Sequence, residues 1–181
     1  YPDAKSSGQL LGFAHHLLEA VPLVAAERAL ATALPTARRA LTQLAFSDAV
    51  GLLERALAVL DAVEPNEQNH YELLLTLGEA RCRAGFRERG KAACGKAAEL
   101  ARKLNDPERL ARAAIIHGTE FTMGQHDGEL IQLLEEARAA LPSGDHPLKA
   151  RVLARLAAAR QPAPDPQGPI DMANEAIAMA R

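Results

Sequence analysis

Residues 71–104 read YELLLTLGEARCRAGFRERGKAACGKAAELARKL, and the organisation of the whole chain can be worked out from them. The apolar pattern continues on both sides of Gly78, so one helix runs through it to about residue 84. Gly85 supplies the stop, and a second helix covers 87–104. The 34 residues thus make a helix pair, with Leu74, Leu77 and Gly78 at its fourth, seventh and eighth places and Ala97 at its twenty-seventh. A glycine inside a helix costs about 1 kcal/mol relative to alanine, so Gly78 predicts the close passage of another helix.

The same frame recurs. Further units begin at Leu30, Ala111 and Ala150, at spacings of 41, 40 and 39 residues. The twenty-seventh place is then Ala56, Ala97, Ala137 and Ala176, and the eighth is Ala37, Gly78, Gly118 and Ala157. Where the two helices of a pair cross, any side chain larger than a methyl would push their axes apart, which is why small residues return there. These are places that a tetratricopeptide unit specifies. The expected fold is all-α: a right-handed α-solenoid of antiparallel helix pairs, a TPR-like superhelix of about nine helices. It is read as one domain over 1–181, with a joining helix at 1–21 and repeat units near 30–63, 71–104, 111–144 and 150–181.

Boundary residues support this division. Ser47 reads as an N-cap before the apolar residues that follow, as does Asn66, and Asp106-Pro107 pairs a cap with a first-turn proline. Asn105 stands at a helix end, and His146-Pro147 opens a helix after the turn at 142–145. The map places helices near 9–20, 24–45, 48–62, 67–84, 87–104, 107–121, 127–141, 147–160 and 168–180. Pro35 should kink or split the second of them, and the proline-rich joint at 161–166 should leave the last pair looser. Gly118 fits either a close crossing or a helix end.

Composition agrees with an all-helical chain. Ala and Leu fill 65 positions against 17 for Val, Ile and Thr. A net charge of −2 with no basic block gives no electrostatic reason for nucleic acid or an anionic membrane as partner. No apolar run approaches the roughly 18 residues that a membrane span needs, and no signal-peptide pattern is present, so a cytoplasmic location is expected. The opening at Tyr1, without Met, reads as a piece of a longer protein.

Whole stretches carry a narrower likeness: FAHHLLEA at 13–20, QLAFSDA at 43–49, LLLTLGEARCRAG at 73–85, and 156–181 with its proline-rich joint. Together they resemble the helical region that follows the ATPase and winged-helix modules of large bacterial ATP-dependent regulators of the LuxR type and of related signalling ATPases. The resemblance spans roughly 13–181. It implies a sensor or interaction arm, with nucleotide and DNA binding in other modules and residues 1–20 as the join. Pro35 and Gly90 depart from the pattern, standing where a helix former and an alanine-like residue are more usual.

Residues that suggest chemistry have plainer readings beside them. GFRERGKA at 85–92 has the spacing of a phosphate-binding loop as far as Lys91, yet Ala92 replaces the Ser or Thr that would ligate magnesium and a helix precedes it. A turn with Gly85 at the helix end is the simpler reading. Cys82 and Cys94 lack companion ligands and read as buried thiols. Of the adjacent His15 and His16, one should pack and one stay wet, and His117 should face the core. Glu135 and Glu136 with Arg138, and Glu99 with Arg102, read as solvated faces with local ion pairs.

No catalytic constellation, metal set or cofactor motif emerges. The chain reads as a non-enzymatic binder of a protein or peptide segment or a small anionic effector. A nucleotide-using enzyme around Lys91 and an architectural oligomerising spacer are the alternatives. The first helix of each pair should line the concave side, which places Arg38, Glu72, Glu79, Arg83, Arg112, Thr119 and Arg151 in the groove, along with Leu41, Leu75, Ile115, Met123 and Ala154. The fifth and ninth places hold Leu75 and Glu79, then Ile115 and Thr119, so they lack the lysines and asparagines with which chaperone-tail receptors grip a carboxylate. Arginine forks in the later units still suit carboxylates or phosphates.

Overall fold

Helix after helix is built on a stripe of small and aliphatic side chains. A computed structural model describes residues 2–21, 25–63, 66–119 and 127–181, with backbone alone over 2–7. Among them run nine helices and no strand: α1 (Pro2–Glu19), α2 (Ala26–Thr42), α3 (Phe46–Ala62), α4 (Glu67–Arg83), α5 (Arg87–Lys103), α6 (Pro107–His117), α7 (Gly128–Ala140), α8 (Pro147–Ala159) and α9 (Gln167–Met179). α1 starts well before the expected residue 9, and the other bounds fall within a few residues of the map.

Two compact units divide the chain, Tyr1–Ala97 and Ala98–Arg181. In the first, α1 packs on α2 and α3, α3 on α4, and α2 reaches past α3 to lie against α4. In the second, α6 packs on α7 and again on α8, α7 on α8, and α8 on α9. Contact between an element and the next but one is what stacked helix pairs require, because each pair buries its apolar face on its neighbour. α2 shows how: Ala29, Ala33, Ala37 and Ala40 recur on one side and are buried.

The twenty-seventh-place residues Ala56, Ala97 and Ala137 are fully buried and Ala176 nearly so. The closest crossing joins α4 to the first half of α5. A β-carbon on Gly78 would stand 3.2 Å from the Gly90 carbonyl oxygen and against the Cys94 sulfur, and one on Gly90 would stand 3.0 Å from the Gly78 oxygen and 3.0 Å from the Cys82 nitrogen. Each glycine is covered by the cysteine of the facing helix. The departure noted at Gly90 is therefore a steric requirement. Gly118 fulfils both of its readings, as C-cap of α6 and as a place where a β-carbon would stand 2.9 Å from Leu130 Cδ1.

Caps follow their chemistry. The Asn66 side chain accepts from the Gln68 and Asn69 amides at 3.0 Å, Asp106 accepts from Arg109 at 3.0 Å, and His146 Nδ1 accepts from Leu148 at 3.2 Å. Ser47 is not a cap. α3 begins at Phe46, because the chain leaves α2 through Leu44 in the left-handed region, φ 63°, and the Ala45 amide bonds back to the Ala40 carbonyl at 2.9 Å. Gly85 (φ 86°) and Asn105 (φ 50°) make the same turn after α4 and α5.

Pro35 does not split α2, which is one helix. It lies on the exposed side, where a carbonyl left without its amide partner meets water, while Ala33 and Ala37 on either side are fully buried and keep both halves seated. α6 stops at His117, short of the expected 121. The joint at 161–166 is irregular, and α9 buries only Pro169 and Ala176.

Candidate functional site

The first helices of successive pairs lie side by side within each unit, α2 with α4 and α6 with α8, and their outward rows hold the charged residues singled out above.

In the first unit these charges are largely spent on one another. Arg38 on α2 reaches Glu72 on α4 at 2.5 Å. Glu79 pairs with Arg83 one turn on at 2.9 Å, and the Arg83 guanidinium also lies 5.9 Å from the centroid of the Phe46 ring. Between α2 and α4 opens an apolar cavity of about 310 Å³ walled by Leu30, Leu34, Pro35 and Leu73, with Glu27 and Asn69 at its rim. Leu41 and Leu75 are buried instead of lining a groove.

In the second unit, Glu108 at the start of α6 pairs with Arg112 at 3.3 Å and lies 3.6 Å from His146, the cap of α8. Thr119 turns its hydroxyl to the Ile115 carbonyl at 3.4 Å. Ile115 is buried, and Met123 lies outside the described residues. Arg151 on α8 is exposed, and one turn further along is the half-buried Arg155, a residue on which the sequence reading placed no weight. The aliphatic stem of Arg155 covers Gly118, whose β-carbon would stand 3.2 Å from its Cγ and Cδ. The i, i+4 spacing of two arginines was visible in the sequence; that no carboxylate among the described residues pairs with them was not.

A second cavity, about 550 Å³, opens beside α7 and α8, walled by Arg138, Leu141, Ser143, Lys149 and Arg160 with Glu135. Its cations are engaged: Arg160 bonds to Glu135, Arg138 stands 3.9 Å from Glu175, and Lys149 donates to the Gly144 carbonyl at 3.5 Å. The ion pairs read as local in the sequence are in fact inter-helical. Arg102 on α5 grips Glu136 on α7 with two bonds of 2.7 Å. That hydrogen bonding holds the Glu136 carboxyl below the ordinary glutamate range and raises Arg102 above its own.

The phosphate-loop spacing at 85–92 lacks the geometry of such a loop. Gly85 ends helix α4, and Gly90 lies inside α5 with its amide donated to the Phe86 carbonyl at 2.9 Å and its open face against Cys82. No single loop gathers free amides around a phosphate. Both cysteines are buried, and burial, with Cys82 and Glu79 nearby, pushes the Cys94 thiol up to about 12. His15 packs while the His16 ring is solvated, and burial, then the charge of Arg55, lowers the His15 pKa. His117 is buried. Among the described residues no group of three or more His, Cys, Asp or Glu could hold a metal ion, and no helix is long and apolar enough to cross a membrane.

No family model and no curated protein matches the chain. Solved structures do. Two crystal structures of nearly identical TPR-like repeats, from a Podosopora anserina protein described as a kinesin light chain, superpose with TM-scores of 0.68 and 0.67. One of the two carries a single substitution. Each is 18% identical in sequence, and the match covers 99% of this chain and 89% and 90% of theirs. At that identity the likeness shows the fold alone: this chain is a TPR-like array of helix pairs.

Proposed function

We propose that the chain is a protein- or peptide-binding repeat module, without catalysis of its own, and that it serves as the interaction or sensor arm of a cytoplasmic bacterial regulator of the LuxR type. The TPR-like fold supports the first half, since such repeats generally mediate protein–protein contact. The stretches at 13–20, 43–49, 73–85 and 156–181 support the second by their resemblance to that family. The observation that carries the reading is the pairing of first helices, α2 with α4 and α6 with α8, each presenting a row of polar side chains to solvent. In this reading nucleotide and DNA chemistry belong to other modules of the parent, and the chain needs no cofactor.

The test is calorimetric titration of the 181-residue chain with the separately expressed modules of its parent and with peptides tiled across the parent sequence. Saturable binding of at least one of these, at a defined stoichiometry, is the expected outcome. Absence of binding by every module and tile overturns the reading. Concentration-dependent self-association in light scattering instead would favour a structural spacer, and stabilisation by ATP with magnesium would favour a nucleotide enzyme.

A further inference from the structure

The row formed by α6 and α8 differs from its counterpart in the first unit in how its charges are balanced. Two contacts show that these helices run parallel and in step: Glu108 lies beside His146 at their starts, and Gly118, ten residues along α6, lies beneath Arg155, nine residues along from His146. In the first unit, the ninth place of one repeat and the second place of the next are Arg38 and Glu72, and they form an ion pair. The same two places in the second unit are Thr119 and Arg151. Among the described residues no anion is paired with the cation that stands there.

Arg155 sharpens the imbalance. Among the described residues neither Arg151 nor Arg155 makes a hydrogen bond or an ion pair, although α8 brings them one turn apart. Glu108 is already engaged by Arg112 and His146. Burial, and after it the charge of Arg151, pulls the Arg155 pKa below the ordinary arginine value. An arginine stays charged under such pressure, so the cost appears as lost hydration and repulsion between neighbours. An exposed guanidinium could turn to water, but Arg155 is held by its stem against the small surface of Gly118. The Arg155 stem is seated, and among the described residues the pair has no counter-ion.

We propose that Arg151 and Arg155, flanked by Thr119, form a recognition site for a doubly charged oxyanion group, supplied either by adjacent carboxylates of an acidic peptide or by a phosphate. Two guanidinium forks one helical turn apart match the span of such a group, and Thr119, its hydroxyl proton directed to the Ile115 carbonyl, borders it. The inference rests on the binding-module reading only in taking the first-helix row as the ligand surface. If parent segments bind but neither anion does, the inference fails and that reading stands.

The probes are an acetylated tetraglutamate peptide and inorganic pyrophosphate, titrated calorimetrically into the full chain at constant ionic strength. Saturable binding of either supports the site, and which one binds identifies the source. Arg155→Met should weaken that binding at least tenfold. Arg155→Lys, which keeps the charge and most of the stem but loses the fork, should weaken it several-fold and covers the case in which the methionine variant fails to fold. Thr119→Glu, which supplies the missing anion as Glu72 does for Arg38, should abolish binding and raise the Tm of the unliganded protein. Arg138→Gln removes the same charge from α7, where Arg138 stands 3.9 Å from Glu175, and should leave affinity within twofold. Failure of both probes to bind the wild type, or equal weakening by Arg138→Gln and the Arg155 variants, overturns the proposal.

Discussion

At the scale of single residues, the α4–α5 crossing is decided by what two glycines leave out. Gly90 offers a quantitative test, since alanine there gains about 1 kcal/mol of helix propensity while forcing a methyl to within 3.0 Å of two backbone atoms. Overpacking of a close core contact costs roughly 1–3 kcal/mol, so the steric loss should win. Gly90→Ala is expected to lower stability by about 1–2 kcal/mol in urea denaturation. A neutral or stabilised variant would mean that the helices separate easily at this point. Gly78 could be read from the sequence because apolar residues continue around it. Gly90 appeared anomalous because a single sequence does not show which atoms lie opposite.

At the scale of elements, helix identity and most boundaries were legible because periodicity, caps and stops are written in adjacent residues. What the sequence concealed was pairing across helices. Glu136 is near Arg138 in sequence but bonds to Arg102, and Arg160 bonds to Glu135. Local spacing could not reveal this, since the partners become neighbours only when the helices pack. The same limitation hid Arg155 and placed Leu41 and Leu75 in a groove when they are buried. The Arg102–Glu136 pair is half-exposed but bidentate, so a double-mutant cycle with Arg102→Met and Glu136→Gln should give a coupling of about 0.5–1 kcal/mol at neutral pH. Glu136 titrates lower in the folded state than in the unfolded one, where glutamate ionises near about 4.3. The coupling is therefore complete above that value and is lost as acid carries the pH down through the folded pKa. A coupling that persists unchanged at pH 2 would contradict this account.

At the scale of the whole molecule, each unit carries its own aliphatic core, around Leu52, Leu53 and Leu77 in the first and Leu134, Leu153 and Leu156 in the second. The three tight hairpin turns share one backbone form, yet their left-handed residues are Leu44, Gly85 and Asn105. Glycine accepts that conformation freely, asparagine tolerates it, and leucine resists it by about 1–2 kcal/mol. The Leu44 side chain is 72% exposed, so little packing would be lost on its removal. Leu44→Gly is expected to stabilise the fold by about 0.5–1 kcal/mol after allowing for the greater freedom of glycine in the unfolded chain, measured by urea denaturation. The three turns also give the array an order of assembly. The hairpin closed by Gly85 meets least backbone resistance and is expected to form early, whereas the one closed by Leu44 is expected to need α4 as a surface to dock on. Growth from the middle of the chain toward the N-terminus would then make the first hairpin the last part of its unit to form and the first to open.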